Sequence, residues 1–110
     1  MGTGRRRVVW TQGALRDLEA GLSYIAEESP QKAAGVLERI LDAADSLSEL
    51  SERGRPVPEY AGSETRELLP HPFRLLYQVA ESEVFVLALL HQRRDFERWR
   101  ASRGTGGEAP

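Results

Sequence analysis

The sequence reads Phe73-Arg74-Leu75-Leu76-Tyr77-Gln78-Val79 and, after a short polar turn, Val84-Phe85-Val86-Leu87-Ala88-Leu89-Leu90. The composition and spacing of these runs predict two strands, and so short a connection predicts that they run antiparallel. In the first run the odd-numbered side chains share one face, while the even-numbered ones, including Arg74, share the other. The second run is apolar on both faces, which is typical of a central strand covered on each side.

Two further strands are predicted upstream, over residues 6–10 and 66–70. Pro70-His71-Pro72 separates the second of these from the strand at 73–80, and this connection is short enough to favour another antiparallel pair. Residues 53–63 are rich in glycine and proline. That composition ends a helix and carries the chain across to the sheet.

Two amphipathic helices are predicted between the first strand and this crossing segment. Thr11 is suited to cap the first, over residues 12–28, and Ser29-Pro30 is suited to begin the second, which extends to about Ser51. Apolar residues recur at helical spacing in both: Leu15, Leu18, Leu22 and Ile25 in the first, and Ala33, Leu37, Ile40, Ala44 and Leu47 in the second. Because the link between them is so short, the helices must form a tight hairpin.

Length and composition indicate one ordinary globular domain. The chain has 110 residues, of which 40% are apolar and 29% charged, enough for a single core. We expect residues 1–103 to form the domain and 104–110 a flexible tail. The absence of cysteine excludes disulfides, thiolate metal sites and a cysteine nucleophile. The apolar run near the N-terminus is too short for a signal peptide, and no run approaches a membrane span, so we expect a cytoplasmic protein.

The formal net charge of −2 conceals a division between the two halves of the chain. Residues 11–52 carry three basic against nine acidic side chains, a net charge of −6, whereas residues 53–103 carry nine against seven, a net charge of +2. An anion-binding surface would therefore belong to the C-terminal half. A charge of +2 is nevertheless small for a protein that must hold RNA through phosphate contacts.

Three side chains of the C-terminal half are candidates for chemistry. His91, at a strand end, could act as a general base towards a ribose hydroxyl, or it could be a structural residue. Arg74 could hold a phosphate, or it could pair across strands with Glu67. Glu59 could serve as a catalytic carboxylate, or it could stay solvated or pair locally.

Metal and cofactor binding are not expected. His71 and His91 are the two histidines of the chain, and no ligand spacing joins them. The glycines beyond residue 103 follow a charged segment and do not lie between a strand and a helix, so they form no phosphate loop.

Several short motifs follow one another in a recognisable order: Trp10-Thr11, Ser29-Pro30, Gly54-Arg55-Pro56-Val57-Pro58-Glu59, the run from Phe73 to Val79, and His91-Gln92-Arg93-Arg94-Asp95. This series resembles the RelE/ParE superfamily of bacterial toxins from type II toxin–antitoxin systems, over roughly residues 8–96. The resemblance implies an α+β fold of order β-α-α-β-β-β, in which a helical hairpin packs on a small twisted antiparallel sheet. It also implies a cognate antitoxin, encoded beside the toxin, as a protein partner.

The superfamily divides by target. RelE-like members cut messenger RNA on the ribosome with basic residues of the sheet and an aromatic acid–base, whereas ParE-like members inhibit DNA gyrase. Arg74 and Arg93 fall where RelE-like members have two catalytic arginines. However, Thr65 and Glu67 stand where lysines are expected, and Trp99 stands near the place of the catalytic tyrosine. Indole cannot exchange a proton as phenol does, and Glu67 would repel a phosphate.

The chain is therefore more similar to ParE-like members, and we expect it to inhibit DNA gyrase by protein binding. The alternatives are a RelE-like ribosome-dependent endoribonuclease, whose partners are the ribosome and messenger RNA, and an inactive toxin-derived binding module. The candidate catalytic residues of the nuclease hypothesis are Arg74, His91 and Arg93.

Two binding surfaces are expected from these hypotheses. A functional basic surface is predicted from Arg55, Arg66, Arg74, Arg93 and Arg94. An acidic, initially disordered segment of the antitoxin is expected to wrap the helical hairpin and to add a strand to the sheet edge. The residues predicted to contact it are Leu15, Leu18, Leu22, Leu37 and Ile40.

Overall fold

The computed structural model describes residues 5–60, 62–92 and 99–101. Its elements in chain order are β1 (Arg7–Trp10), α1 (Gln12–Glu28), α2 (Pro30–Ser46), β2 (Arg55–Pro56), one turn of 3₁₀ helix (Pro58–Tyr60), β3 (Arg66–Leu68), β4 (Phe73–Val79) and β5 (Glu83–His91). The predicted α+β class and the order β-α-α-β-β-β are confirmed. The two-residue strand β2 is an addition, formed within the predicted crossing segment.

The two helices begin at the predicted caps. The Thr11 hydroxyl accepts a hydrogen bond from the Ala14 N–H, and the Ser29 hydroxyl accepts one from the Lys32 N–H, which satisfies donors that a helix start leaves free. Helix α2 ends at Ser46, earlier than predicted, and the chain continues in turns. Leu47 remains fully buried although it lies beyond the helix, so the apolar stripe extends farther than the helical backbone.

One five-stranded sheet has the order β1-β5-β4-β3-β2. Strands β3, β4 and β5 pair antiparallel, as predicted, and β2 adds an antiparallel pair with β3. Strand β1 pairs parallel to β5, with Val8 opposite Val84. The sheet is therefore mixed, and the predicted antiparallel pairing describes its larger part. The turns between β3, β4 and β5 are too short for anything else, but β1 is joined to the rest through the helical hairpin, which is long enough for a parallel crossover.

A bulge in β5 changes which side chains share a face. Leu76 pairs with Ala88 and Tyr77 pairs with Val86, so Leu87 is an extra residue in the strand. Beyond the bulge the alternation shifts by one position. Val86 and Leu89 consequently face the helices, while Ala88 lies on the far face.

The sheet has a core on each side. The helix-facing core contains Ala14, Val36, Ile40, Ala44, Leu47, Phe73, Leu75, Tyr77, Val84, Val86 and Leu89. A smaller far-face core contains Val57, Leu76, Ala88 and Leu90, with Tyr60 and Trp99 packed against it. Strand β5 is thus covered on both faces, as its apolar sequence predicted.

The start of α1 closes the edge of β5 where β1 ends. Thr11 donates from both its backbone N–H and its hydroxyl to the Val86 carbonyl, at 3.1 and 3.0 Å. Six residues later, the Asp17 carboxylate accepts from the Leu89 N–H at 3.0 Å. These side chains satisfy backbone groups that would otherwise lie exposed at a strand edge, and they fix α1 on the sheet.

Gly54 lies where the chain between helix and sheet meets β4. Its N–H donates to the Tyr77 hydroxyl at 2.8 Å, and its carbonyl accepts from Arg66 Nη1 at 2.7 Å. The Tyr77 ring is fully buried, and burial raises the pKa of its hydroxyl. A Cβ atom at position 54 would lie 2.6 Å from both the Glu67 carbonyl oxygen and the Tyr77 hydroxyl. Glycine is therefore required at this position by close approach.

Replacing Gly54 with alanine should lower the free energy of unfolding by about 1–3 kcal/mol, since the added methyl group overpacks a buried contact. Urea titration followed by circular dichroism would measure this. Gly35→Ala is a matched control, because a Cβ there meets nothing within 4 Å; it should stabilise α2 by about 0.5–1 kcal/mol. A Gly54→Ala protein as stable as the wild type would contradict the prediction.

Candidate functional site

Four charged side chains converge on the far face of the sheet, and we name them the arginine–glutamate cluster: Arg55, Glu59, Glu67 and Arg74. Strand register brings three of them together, because Arg55 of β2 lies directly opposite Glu67 of β3 and Arg74 lies diagonally across on β4. Glu59 comes from the 3₁₀ turn that follows β2. The cluster therefore joins three strands and a turn.

Arg74 is the centre of the cluster. Its Nη1 and Nη2 donate to the two carboxylate oxygens of Glu59 at 2.9 and 2.8 Å, a bidentate arrangement. Its Nε and Nη2 lie 2.8 and 2.7 Å from Oε1 of Glu67. The second oxygen of Glu67 accepts from Arg55 Nε at 2.6 Å. Two guanidinium groups thus face two carboxylates, and the formal charges of the cluster balance.

Burial makes this pairing obligatory. The side chain of Glu67 is 0% exposed and that of Arg74 is 7% exposed, whereas Arg55 and Glu59 reach solvent. A buried carboxylate is tolerated when it is paired and hydrogen-bonded, and removing one partner of such a pair is strongly destabilising. Glu67 and Arg74 therefore depend on each other.

The cluster also shifts the pKa of Glu59 and of Arg74. Hydrogen bonds from the Arg74 guanidinium lower the pKa of Glu59, an effect that its partial desolvation opposes. The Glu59 and Glu67 carboxylates in turn raise the pKa of Arg74. Glu59 consequently stays ionised near neutral pH, where it cannot serve as a general acid and is weakened as a base.

The predicted basic surface is not assembled among the described residues. Arg74 makes the cross-strand pair with Glu67 that was the alternative to phosphate binding, and Arg55 shares the same carboxylate. Arg66 lies apart from the cluster and donates to the backbone carbonyl of Gly54. Arg93 and Arg94 lie outside the described residues.

His91 and Arg74 lie on opposite faces of the sheet. His91 pairs directly with Phe73, whose side chain belongs to the helix-facing core, while Arg74 pairs with Leu90 of the far-face core. Directly paired residues project to the same side, and neighbours along a strand alternate. The two candidate catalytic residues therefore do not converge on one reacting centre.

The leucine and isoleucine residues predicted to contact the antitoxin divide between surface and core. Leu15 is 49% exposed, whereas Ile40 is 0% exposed and packs in the helix-facing core. Leu18 and Leu22 are partly buried against that core, and Leu37 is of intermediate exposure. Ile40 cannot reach a partner in this fold, because its side chain fills the space between hairpin and sheet.

Local pairing of Glu59 was one of the alternatives open from the sequence, but its bidentate contact with Arg74 was not predicted. The two residues are 15 positions apart and belong to different elements, so no periodicity links them. Within the described part of the chain, no group of three or more histidine and acidic residues could hold a metal ion. No helix described there is long and apolar enough to cross a membrane.

Comparison with known proteins finds a toxin family model and a toxin relative that match most of the chain. Residues 8–96 match the model described as the ParE toxin of the type II toxin–antitoxin system parDE. Toxin RelE2 of Caulobacter vibrioides is 40% identical over 89 residues, which cover 80% of this chain and 97% of that protein.

Two solved structures share the fold. The chromosomal ParDE TA system of P. aeruginosa superposes with a TM-score of 0.66 at 23% identity, covering 79% of this chain and 96% of that one. The toxin–antitoxin complex RelBE2 of Mycobacterium tuberculosis gives a TM-score of 0.55 at 26% identity, covering 83% and 95%. These similarities agree with the fold that the sequence predicted.

Replacing Arg74 with leucine should lower the free energy of unfolding by about 3–5 kcal/mol, because it leaves the buried Glu67 carboxylate without its main partner. The double variant Arg74→Leu/Glu67→Leu should recover most of this loss, since apolar side chains can fill the same space. Arg5→Ala, which breaks an exposed pair with Glu49, is the control and should change stability by less than about 1 kcal/mol. Urea titration of the wild type and these three variants would measure the free energies of unfolding.

Acid should weaken the cluster through Glu59, whose pKa is held below the ordinary value of 4.5. A lowered folded pKa contributes stability that is complete above pH 4.5 and is lost as pH falls below it. Glu59→Gln should therefore reduce the loss of unfolding free energy on acidification, measured by urea titration in a pH series. In the Arg74→Leu/Glu67→Leu background the same replacement should have no such effect; an equal effect there would contradict the assignment.

Proposed function

Because this chain belongs to the ParE toxin family of type II toxin–antitoxin systems, we propose that it inhibits growth by binding DNA gyrase and is neutralised by a cognate antitoxin. Under this proposal the toxin works in the cytoplasm as a protein-binding domain and performs no chemistry on RNA. The single observation that carries the proposal is the closed arginine–glutamate cluster.

The cluster argues against phosphate binding at Arg74. Four contacts of 2.7 to 2.9 Å already occupy its guanidinium. A phosphate entering there would have to displace the Glu59 carboxylate and would still lie beside the buried negative charge of Glu67. Both effects oppose binding of a second anion, because charges at low dielectric interact strongly. The arginine is used to hold the fold together.

The separation of His91 from Arg74 gives independent support. A ribonuclease of this kind needs its proton-transfer group and its phosphate-stabilising group both within hydrogen-bond reach of one scissile phosphate. Here the sheet lies between the two side chains. Protein binding makes no such geometric demand.

The antitoxin proposal rests on the family and on two surfaces of the toxin. The solved relatives are named as toxin–antitoxin systems or complexes. In the described sheet, β1 and β2 are the outer strands. Strand β1 offers backbone groups on one side for strand addition, whereas β2 has two residues, and Pro56 has no N–H to donate. Leu15 on α1 offers an exposed apolar contact.

A second candidate function is a ribosome-dependent messenger RNA endoribonuclease. It is favoured by the name of the relative Toxin RelE2, which is 40% identical. That candidate needs a catalytic set other than Arg74 with His91, and Arg93 would have to belong to it.

One experiment separates the two candidates. The toxin is induced alone in cells, and the DNA damage response, translation and integrity of messenger RNA are followed together; purified toxin is then added to a gyrase supercoiling assay. Early induction of the damage response with inhibited supercoiling is expected. Early arrest of translation with cleaved messages, and full gyrase activity, would overturn the proposal in favour of the nuclease.

His91→Ala should retain growth inhibition, because gyrase binding requires no proton transfer from that imidazole. A nuclease that lost its general acid or base would slow by about 10²- to 10⁴-fold, enough to abolish toxicity at modest expression. Toxicity is compared at matched levels of folded protein, with circular dichroism as the check. Loss of toxicity in a folded His91→Ala protein would contradict the binding mechanism.

A further inference from the structure

A groove runs between the second half of α2 and the end of β3, and we name it the α2–β3 groove. It encloses about 350 Å³ and is lined by Arg39, Asp42, Ala43, Arg53, Leu68, Leu69 and Pro70. This site is distinct from the arginine–glutamate cluster, which contributes none of these residues. It is large enough to receive one or two side chains of a partner.

The floor of the groove is apolar. Leu68 packs against the helix-facing core, while the neighbouring Leu69 is 47% exposed. Pro70 and Ala43 complete the apolar lining. Covering a half-exposed leucine contributes a favourable free energy of roughly 25 cal/mol for each Å² of apolar surface removed from solvent.

The rim of the groove carries a net positive charge, and its arginines form no ion pair within the described chain. Arg39 Nε donates to the His71 backbone carbonyl at 3.4 Å, and Arg53 Nη1 donates to the Ser46 hydroxyl at 2.9 Å. Both acceptors are uncharged, and neither arginine takes part in a salt bridge within residues 5–60, 62–92 and 99–101. Asp42 also lines the groove, so two guanidinium groups against one carboxylate leave a net positive charge.

The rest of the helical hairpin has the opposite character. Residues 11–52 carry a net charge of −6, so most of the hairpin repels an acidic segment. A neighbouring cavity on the other side of the segment 70–72 is lined by Glu27 and Glu28 together with Lys32, His71 and Pro72. An acidic chain that wraps the toxin is therefore drawn to the α2–β3 groove in preference to that cavity.

We propose that the α2–β3 groove is the docking site for an acidic segment of the antitoxin, with one apolar side chain covering Leu69 and carboxylates pairing with Arg39 and Arg53. The inference rests on the proposed function, because it names the part of the toxin that a cognate antitoxin recognises. The combination of an apolar floor with an uncompensated basic rim matches a short segment that alternates leucine-like and acidic residues. It matches neither a basic peptide nor a purely apolar one.

The test compares two charge-matched variants of the full toxin for binding to the purified product of the neighbouring gene. The groove variant, Arg39→Glu/Arg53→Glu, reverses the charge of the two groove arginines. The control variant, Arg16→Glu/Lys32→Glu, reverses the charge of two cations elsewhere on the hairpin. All four side chains are exposed, and the two variants change the net charge equally. At physiological salt, screening acts over about 8 Å. The groove variant should raise the dissociation constant about 100-fold or more, as expected for lost charged hydrogen bonds. The control should change it by less than roughly threefold, since distant exposed charges are screened.

Photo-crosslinking locates the contact directly. Benzoylphenylalanine replaces Leu69 in the groove or, as the control, Tyr24 at the exposed far end of α1. Position 69 should cross-link to an antitoxin segment that carries aspartate or glutamate beside an apolar residue. Replacing those acids with lysine should restore affinity for the Arg39→Glu/Arg53→Glu toxin, which also excludes misfolding as the cause of its weak binding.

These experiments distinguish failure of the docking site from failure of the proposed function. Equal affinity of the groove variant and the control, or a cross-link from position 69 to a basic segment, overturns the docking site while leaving the toxin–antitoxin complex in place. Absence of any complex between the wild-type toxin and the neighbouring gene product overturns the antitoxin part of the proposed function, and the groove assignment with it.

Discussion

The far side of this molecule depends on the guanidinium of Arg74. By binding Glu67 and Glu59 together, it connects β4 to β3 and to the 3₁₀ turn after β2. That turn adjoins Val57, and Tyr60 within it packs against the far-face core. Since a fully buried carboxylate such as Glu67 is stable when it is paired and very costly when it is not, the ion pairs determine where the segment 55–60 can lie.

The same interaction redistributes the charge of the protein. Arg55 and Arg74 are balanced by two carboxylates, so the described part of the sheet face around Arg74 has little positive charge to offer. Arg39 and Arg53 bond only to neutral oxygens among their described hydrogen-bond partners. The surface formed by the described residues thus has an acidic hairpin, a charge-balanced cluster on the far face of the sheet and a basic groove between α2 and β3. Such a distribution is suited to discriminating among protein partners, because complementary charges favour one orientation and like charges exclude others.

The bulge at Leu87 is the second constraint with wide consequences. It moves Leu89 to the helix-facing core, where the Leu89 N–H meets Asp17 of α1, and it leaves Ala88 in the far-face core. One extra residue therefore allows a single strand to serve two cores and a helix contact. Without it, the face assignment of every side chain beyond position 87 would be reversed.

The sequence by itself determined the two helices and four of the five described strands, because their signals are local. The caps at Thr11 and Ser29, the apolar periodicity of the hairpin and the alternation in 73–79 depend on residues within one or two turns of each other, and each is found where it was predicted. The tertiary structure decided what depends on residues far apart in the chain: the parallel pairing of β1, the bulge at Leu87, and the role of Arg74. The sequence left phosphate binding and ion pairing equally open for Arg74, because Glu59 and Glu67 become its neighbours only when the strands adopt one register and the 3₁₀ turn folds over them. Charge at a site is a property of what surrounds it, and for this chain those surroundings exist only in the folded sheet.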